Sequence, residues 1–293
     1  MLLVIARGLF VACALSGFGA ALFALTMPIA RHVDARLHAS IERQVRKIIS
    51  LSLAAALVVG YAWLPLETHA VASTTNLAQT VTAIPTVLFD TRFGQVLAAG
   101  YCHCVRAGCE TARAEHLAAS LAGPAVMLEA GHSRAFAMAH IPLLLSQMLH
   151  LTAAGAGLGG LLPLLIVVRE APLEAAQRAA RHFSTLGTIS VSVLAATALF
   201  QGTLLSGALT GLTGTAYGAV LLLKAVLFAP LISIAAVNRF RLTPAFAGPD
   251  AEKARRALAL TIGIETVVGL CVVFAASLLS SLELGMHMET HGQ

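Results

Sequence analysis

Histidine and methionine are the side chains of this sequence with the most chemistry to offer. Between Gly131 and Leu165, GHSRAFAMAHIPLLLSQMLHLTAAGAGLGGLLPLL, two histidines, His132 and His140, lead into a long apolar run that carries a third, His150. Proline is tolerated in a first helical turn, so a helix starting close to Pro142 puts His140 at the water boundary. His150 then lies about eight residues further in, roughly 12 Å deep at ~1.5 Å per residue. Near the C-terminus stand Met286, His287, Met288 and His291. Imidazole and thioether are ligands for soft and borderline metal ions. An ionisable side chain deep in an apolar helix is a functional candidate when it faces protein or a wet cavity. A neutral core histidine bonded to a neighbouring helix fits His150 equally well. Met148 sits two residues away, about 200° round a helix, and points elsewhere.

The elements that must position these groups are apolar helices. The chain has 293 residues, 58% hydrophobic and 11% charged, against roughly a quarter charged in ordinary soluble domains. It reads as an all-α, polytopic helical integral membrane protein, a single transmembrane domain over residues 1–293. Spans of about twenty apolar residues are expected at Leu2–Met27, Ile48–Leu66, Ile141–Val168, Phe183–Leu209, Tyr217–Val237 and Ala257–Leu282, with two weaker ones between Gln95 and Ala130. The total is eight helices, or six without the weak pair. The first apolar run is too long for a signal peptide and has its basic residues behind it, so it reads as a first span. Past His150, Gly155 and Gly159 form a GxxxG step that lets another backbone approach.

Charge sets the orientation. Arg31, Arg36, Arg43, Arg46 and Lys47 crowd one connection, Arg169, Arg178 and Arg181 another, and Arg239, Arg241, Lys253, Arg255 and Arg256 a third. These are cytoplasmic by the positive-inside rule, which leaves both termini periplasmic. A net charge of +5 spread over loops is no nucleic-acid footprint, since no single face collects it. Glu67 to Gln95, with His69, reads as a polar external loop.

Several other residues have competing readings. Cys102, His103, Cys104 and Cys109 resemble a soft-metal cluster, although C-x-C-x4-C is a weak spacing. Their segment, 98–130, reads as a metal-binding or redox-sensitive external loop, a weakly apolar hairpin, or the product of a shifted reading frame. Lys224 and Glu265 either snorkel to opposite faces as structural anchors or pair across adjacent helices. Cys13 and Cys271 read as small core residues. No GxxxxGK[ST] loop and no nucleophile with its base is present, so the chain reads as a non-enzyme.

The segment FDTRFGQV resembles the TRFG signature that follows the second helix in the copper resistance protein D family (CopD) of bacterial inner-membrane proteins. The resemblance resumes at Gly131-His132, at LHLTAAGAGLGGLLPL around His150, and most specifically at TAYGAVLLLKAVLFAPLISIAAVNRFRLTPAF, with Glu265 and Gly285-Met286-His287 after it. The similar core covers residues 139–284, and the pattern fails between Ala98 and Ala130. The resemblance implies copper transport across the inner membrane, or copper tolerance, together with a periplasmic copper carrier of the CopC type.

The residues support that implication on their own terms. With both termini outside, His69, His132, His140, Met286, His287, Met288 and His291 are external and His150 lies below them in the bilayer. Imidazole suits Cu(II) and thioether suits Cu(I), so this mixed set fits copper better than a hard ion such as magnesium. The expected function is uptake of copper delivered on the periplasmic side. The alternatives are a membrane haem protein of electron transfer, which needs two deep, facing histidines, and a copper-sensing scaffold that does not transport. The tail residues also fit a disordered terminus of accidental composition.

Overall fold

A computed structural model describes residues 2–27, 34–72, 74–90, 94, 141–206 and 216–290, with backbone alone at 70–71, 203–206, 216–225 and 279–290. The described residues form helices and no strand. We label them α1 (Leu2–Thr26), α2 (Ala35–Val71), α3 (Leu77–Asp90), α4 (Ile141–Glu170), α5 (Leu173–Ser206), α6 (Ala216–Val237) and α7 (Ala251–Thr290). Six of them, all but α3, contain a stretch long and apolar enough to cross a bilayer. Leu51, Val58, Tyr61, Leu199, Leu260 and Val267 stand exposed on their outer faces, which is stable where the surrounding solvent is hydrocarbon.

The helix ends follow from local sequence. Asp34 caps α2 by accepting from the Arg36 amide at 3.3 Å, as expected of an N-terminal carboxylate. Pro142 falls in the first turn of α4. Glu67–Gln95 is not wholly a polar loop, because α3 occupies Leu77–Asp90. Asn76 caps it by accepting from the Gln79 amide at 2.9 Å, and Gln79 Oε1 reaches back to the Thr75 amide at 3.0 Å. That reciprocal pair is the capping-box logic with an amide in place of a hydroxyl. Ile84, Val87 and Leu88 then pack against the upper end of α2. The described part of α3 runs 14 residues, about 21 Å of helix.

Two cores divide the bundle by depth. The outer one joins Phe10, Trp63, Leu64, Val87 and Leu151, with the Phe10 and Trp63 rings 5.5 Å apart. The inner one joins Phe23, Ile41, Val168, Ala176, Leu258 and Ile262. Helix α1 touches both, packing on α2, α4 and α7. Its crossing with α4 depends on glycine. A Cβ on Gly159 would lie 2.1 Å from the Leu15 carbonyl oxygen, and one on Gly19 would lie 2.1 Å from the Gly155 carbonyl oxygen. Here the expected GxxxG surface meets its partner, and over Gly155–Gly159 the chain widens into a π turn.

The end of the bundle that carries the basic connections is stitched by polar groups. Arg255 of α7 donates to the carbonyls of Val168, at 2.8 Å, and of Arg169, closing the C-terminus of α4. Those carbonyls have no partner within their own helix, and a cation there also opposes the helix dipole. Gln44 of α2 donates to both Glu170 oxygens at 2.8 and 2.7 Å.

The α1–α4 contact generates a stability prediction. Gly159→Ala places its methyl against backbone at 2.1 Å, where no rotamer change relieves it, so a loss of about 1–3 kcal/mol is expected. Gly263→Ala, with nothing within 4 Å of the added carbon, should leave stability unchanged. Thermal unfolding in detergent compares the two, and equal melting temperatures would contradict the close-contact account.

Candidate functional site

Helices α4 and α5 run antiparallel, and their facing stripes are polar in the outer half. Ser146 and His150 are one turn apart on α4, and Thr197 and Gln201 are one turn apart on α5. Residues four apart share a helix face, so the two pairs can mate. Gln201 Nε2 donates to Ser146 Oγ at 3.2 Å, and His150 Nδ1 meets Thr197 Oγ1 at 2.8 Å. Four residues on along α4 is thus four back along α5. Seven further on, Gly157 faces Ser190, with 3.4 Å between the position of an added Cβ and Ser190 Cβ. Ser146, Ser190 and Thr197 are buried, and His150 is partly buried.

The Thr197 hydroxyl decides which nitrogen of His150 carries the proton. Thr197 Oγ1 lies 2.7 Å from the Val193 carbonyl and 3.1 Å from that of Leu194. Two oxygens that close need the hydroxyl proton between them, and threonine has one. The contact with His150 is therefore donated by the imidazole, from Nδ1–H to Thr197 Oγ1. The lone pair of the neutral ring then sits on Nε2, the arrangement usual for a metal-ligating histidine whose other nitrogen is anchored. His150 is nine residues from Ile141, so it lies about 14 Å along the helix. Met148, as its angular position requires, turns instead to the outer core.

The other expected ligands are placed as follows. His132, His140 and His291 lie outside the described residues, as do Cys102, His103, Cys104 and Cys109 and the two weak spans between Gln95 and Ala130. Met286, His287 and Met288 belong to the last turns of α7, whose backbone stays helical through Thr290, rather than to a tail beyond the last helix. His69, in the last turn of α2, bonds Thr74 Oγ1 at 3.0 Å. Among the described residues no group of three or more His, Cys, Asp or Glu side chains could enclose a metal ion. Cys13 is partly buried, but Cys271 is exposed and faces the surroundings of α7 rather than a core. Lys224 has no described side chain. The Oε2 of Glu265 accepts from Asn238 Nδ2 at 3.0 Å.

Sequence reasoning missed the partners of His150. Ser146, Thr197 and Gln201 carry a usable signal, polar pairs four apart on two consecutive apolar helices, but only the register of α4 on α5 shows which pairs meet.

Two family models match the chain. One, copper resistance protein D, matches residues 177–279. The other, copper resistance protein D-like, N-terminal domain, matches residues 1–135 and so runs through the stretch 98–130, where the residues alone lead us to expect the resemblance to fail. Among curated relatives, the inner membrane protein YebZ of Escherichia coli (strain K12) is 33% identical over 47% of this chain and 48% of its own length. The copper transport protein CutJ of Bacillus subtilis (strain 168) is 28% identical over 47% of this chain and 25% of its own. The copper resistance protein D of Pseudomonas syringae pv. tomato is 27% identical over 48% of this chain and 50% of its own. The matches thus span half or less of each relative's length. No solved structure matches.

The Thr197 anchor is testable by metal affinity. Thr197→Val removes the acceptor of the Nδ1–H bond while keeping shape, and should weaken binding of Cu(I) or its analogue Ag(I) about 10- to 100-fold, the usual cost of losing a ligand's supporting bond. Thr197→Ser should restore it. Chelator competition on purified protein measures both, and an unchanged affinity in the valine variant would detach Thr197 from the site.

Proposed function

The chain belongs to the copper resistance protein D family, and on that premise we propose that it transports copper across the bacterial inner membrane, taking up ions delivered on the periplasmic side. It is a multi-pass helical membrane protein. The observation that carries the reading is His150, held by Thr197 at 2.8 Å in a polar seam between two membrane-spanning helices. A copper ion crossing roughly 30 Å of hydrocarbon must exchange hydration for protein ligands. An imidazole with its lone pair on Nε2 supplies such a ligand at depth.

In this scheme the external histidines and methionines capture the ion. His132 and His140 precede the mouth of α4, and Met286, His287, Met288 and His291 end the chain on the same side. A periplasmic carrier of the CopC type would deliver copper to that mouth, and copper homeostasis or resistance follows from controlling the flux. Cytoplasmic release is favoured by the basic connections only in orientation, since Arg and Lys are poor ligands for a cation. Bis-histidine haem asks for two deep, facing histidines. Among the described residues His38 and His69 lie near the ends of α2, while His150 is nine residues into α4 and His182 nine residues into α5; because these helices run antiparallel, the two imidazoles enter from opposite ends of the bundle and do not face each other.

His150→Ala should abolish copper movement into proteoliposomes, whereas His150→Met, which keeps a soft ligand, should retain part of it for Cu(I). Both variants should insert normally, since removing a polar group from a span makes insertion no harder. Normal transport by a correctly inserted His150→Ala protein would refute the deep-ligand mechanism. Direction is read from cells: with the protein present, cellular copper should rise, and a fall would mean export. An optical spectrum of the purified protein checks the haem alternative, for which a Soret band is the expected sign.

A further inference from the structure

The inner half of the bundle holds a second polar centre that copper liganding at His150 does not use. A cavity of about 190 Å³ lies between α4, α5, α6 and α7, walled by Leu161, Phe183, Thr188, Ile232, Asn238 and Glu265. Glu265 is fourteen residues into α7, inside its apolar span, about 21 Å from the start of that helix. Asn238 is fixed from three directions at the π turn that follows α6. Its Nδ2 donates to Glu265 Oε2 at 3.0 Å, its Oδ1 accepts the Thr261 hydroxyl at 2.5 Å, and its carbonyl accepts the Thr243 hydroxyl at 2.8 Å.

Among the described side chains, no charge neutralises this carboxyl. The cavity's other charged wall residue is Arg239 of the same π turn, and its Nη1 is turned to the Ser184 carbonyl and hydroxyl on α5 at 2.8 and 3.2 Å. The polar groups that α5 brings to the wall are the hydroxyls of Ser184, Thr188 and Ser192, none of them charged, and α4 brings only leucines. Among the described residues Glu265 makes no ion pair. A carboxylate left charged in such surroundings is strongly unfavourable, so it carries a proton or holds a cation. Asn238 chooses between them. It turns its NH₂ toward the carboxyl and spends its oxygen on Thr261, so a metal cation beside Glu265 would meet a donor where it needs a ligand.

We propose that Glu265 is a proton-exchange site at the cytoplasmic end of the transport path. It is protonated on Oε1 while the inner half is empty, with Oε2 accepting from Asn238. When a Cu(I) ion enters the inner half, the carboxyl releases one proton into the cavity and becomes the counter-charge, so the charge of this region is conserved one for one. Carboxylate oxygen is a hard and therefore weak ligand for Cu(I), which lets the ion leave toward the cytoplasm. Proton binding at Glu265 stands on the cavity geometry alone; only the exchange with copper rests on the transport reading.

Infrared spectra of the full chain in phosphatidylglycerol vesicles, wild type minus Glu265→Gln, report the carboxyl directly. Glutamine keeps an acceptor for Asn238, so the fold should persist. The carboxylic-acid band should be present at neutral pH, disappear as pH rises, and also disappear when Cu(I) is added under reducing conditions. A band missing at every pH, or present and unmoved by either pH or Cu(I), overturns the proposal. A band removed by sodium ion at fixed pH also overturns it, in favour of a sodium site. In transport, Glu265→Gln should still bind Cu(I) but move it at least tenfold more slowly, with no response to a pH gradient. Wild-type rate and pH response in that variant overturn the coupling. Should His150→Ala transport copper normally while the Glu265 band still titrates, the deep-ligand route fails and the proton site survives.

Discussion

The architecture depends on two backbones touching. Gly19 of α1 and Gly155 and Gly159 of α4 approach so closely that a methyl on Gly19 or Gly159 would overlap backbone atoms of the other helix. Hydrocarbon offers no hydrophobic drive to push helices together, so close van der Waals contact between small residues has to supply the association. The same stretch of α4 is wound as a π turn, which leaves one residue more per turn than an α-helix and often accompanies functional positions. One face of α4 thereby docks on α1 while the face bearing His150 is presented to α5.

That arrangement separates two chemistries by depth. In the outer half, the α4–α5 seam joins Ser146 to Gln201 and His150 to Thr197, a soft nitrogen among neutral hydroxyl and amide groups. In the inner half, the cavity between α4, α5, α6 and α7 brings the Glu265 carboxyl against the Asn238 amide.

The cytoplasmic rim supplies order of a different kind. Arg255 closes the end of α4, and Gln44 holds Glu170. These bonds tie α7 and α2 to the one helix that carries the deep histidine. Arg255, from one of the basic connections, thus also serves as a helix cap in the finished bundle.

How much of this was legible in the amino-acid sequence depends on the range of the interaction. Helical class, six strong spans, the start of α4 at Pro142 and the glycine surface of α4 are local properties of hydropathy and backbone sterics, and they can be read residue by residue. So could the family, from the Tyr217–Pro244 block. Helix α3 was locally encoded by the Asn76–Gln79 cap but masked by its short length and polar flanks. What only the tertiary structure decided is pairing. That His150 meets Thr197 rather than Met148, that Glu265 meets Asn238 across a cavity, and that α1 is the helix seated on Gly155 and Gly159 all depend on the rotation and register of whole helices. Those are set by the sum of many contacts between segments distant in the chain, and apolar periodicity in a lipid-facing helix is too weak to specify them.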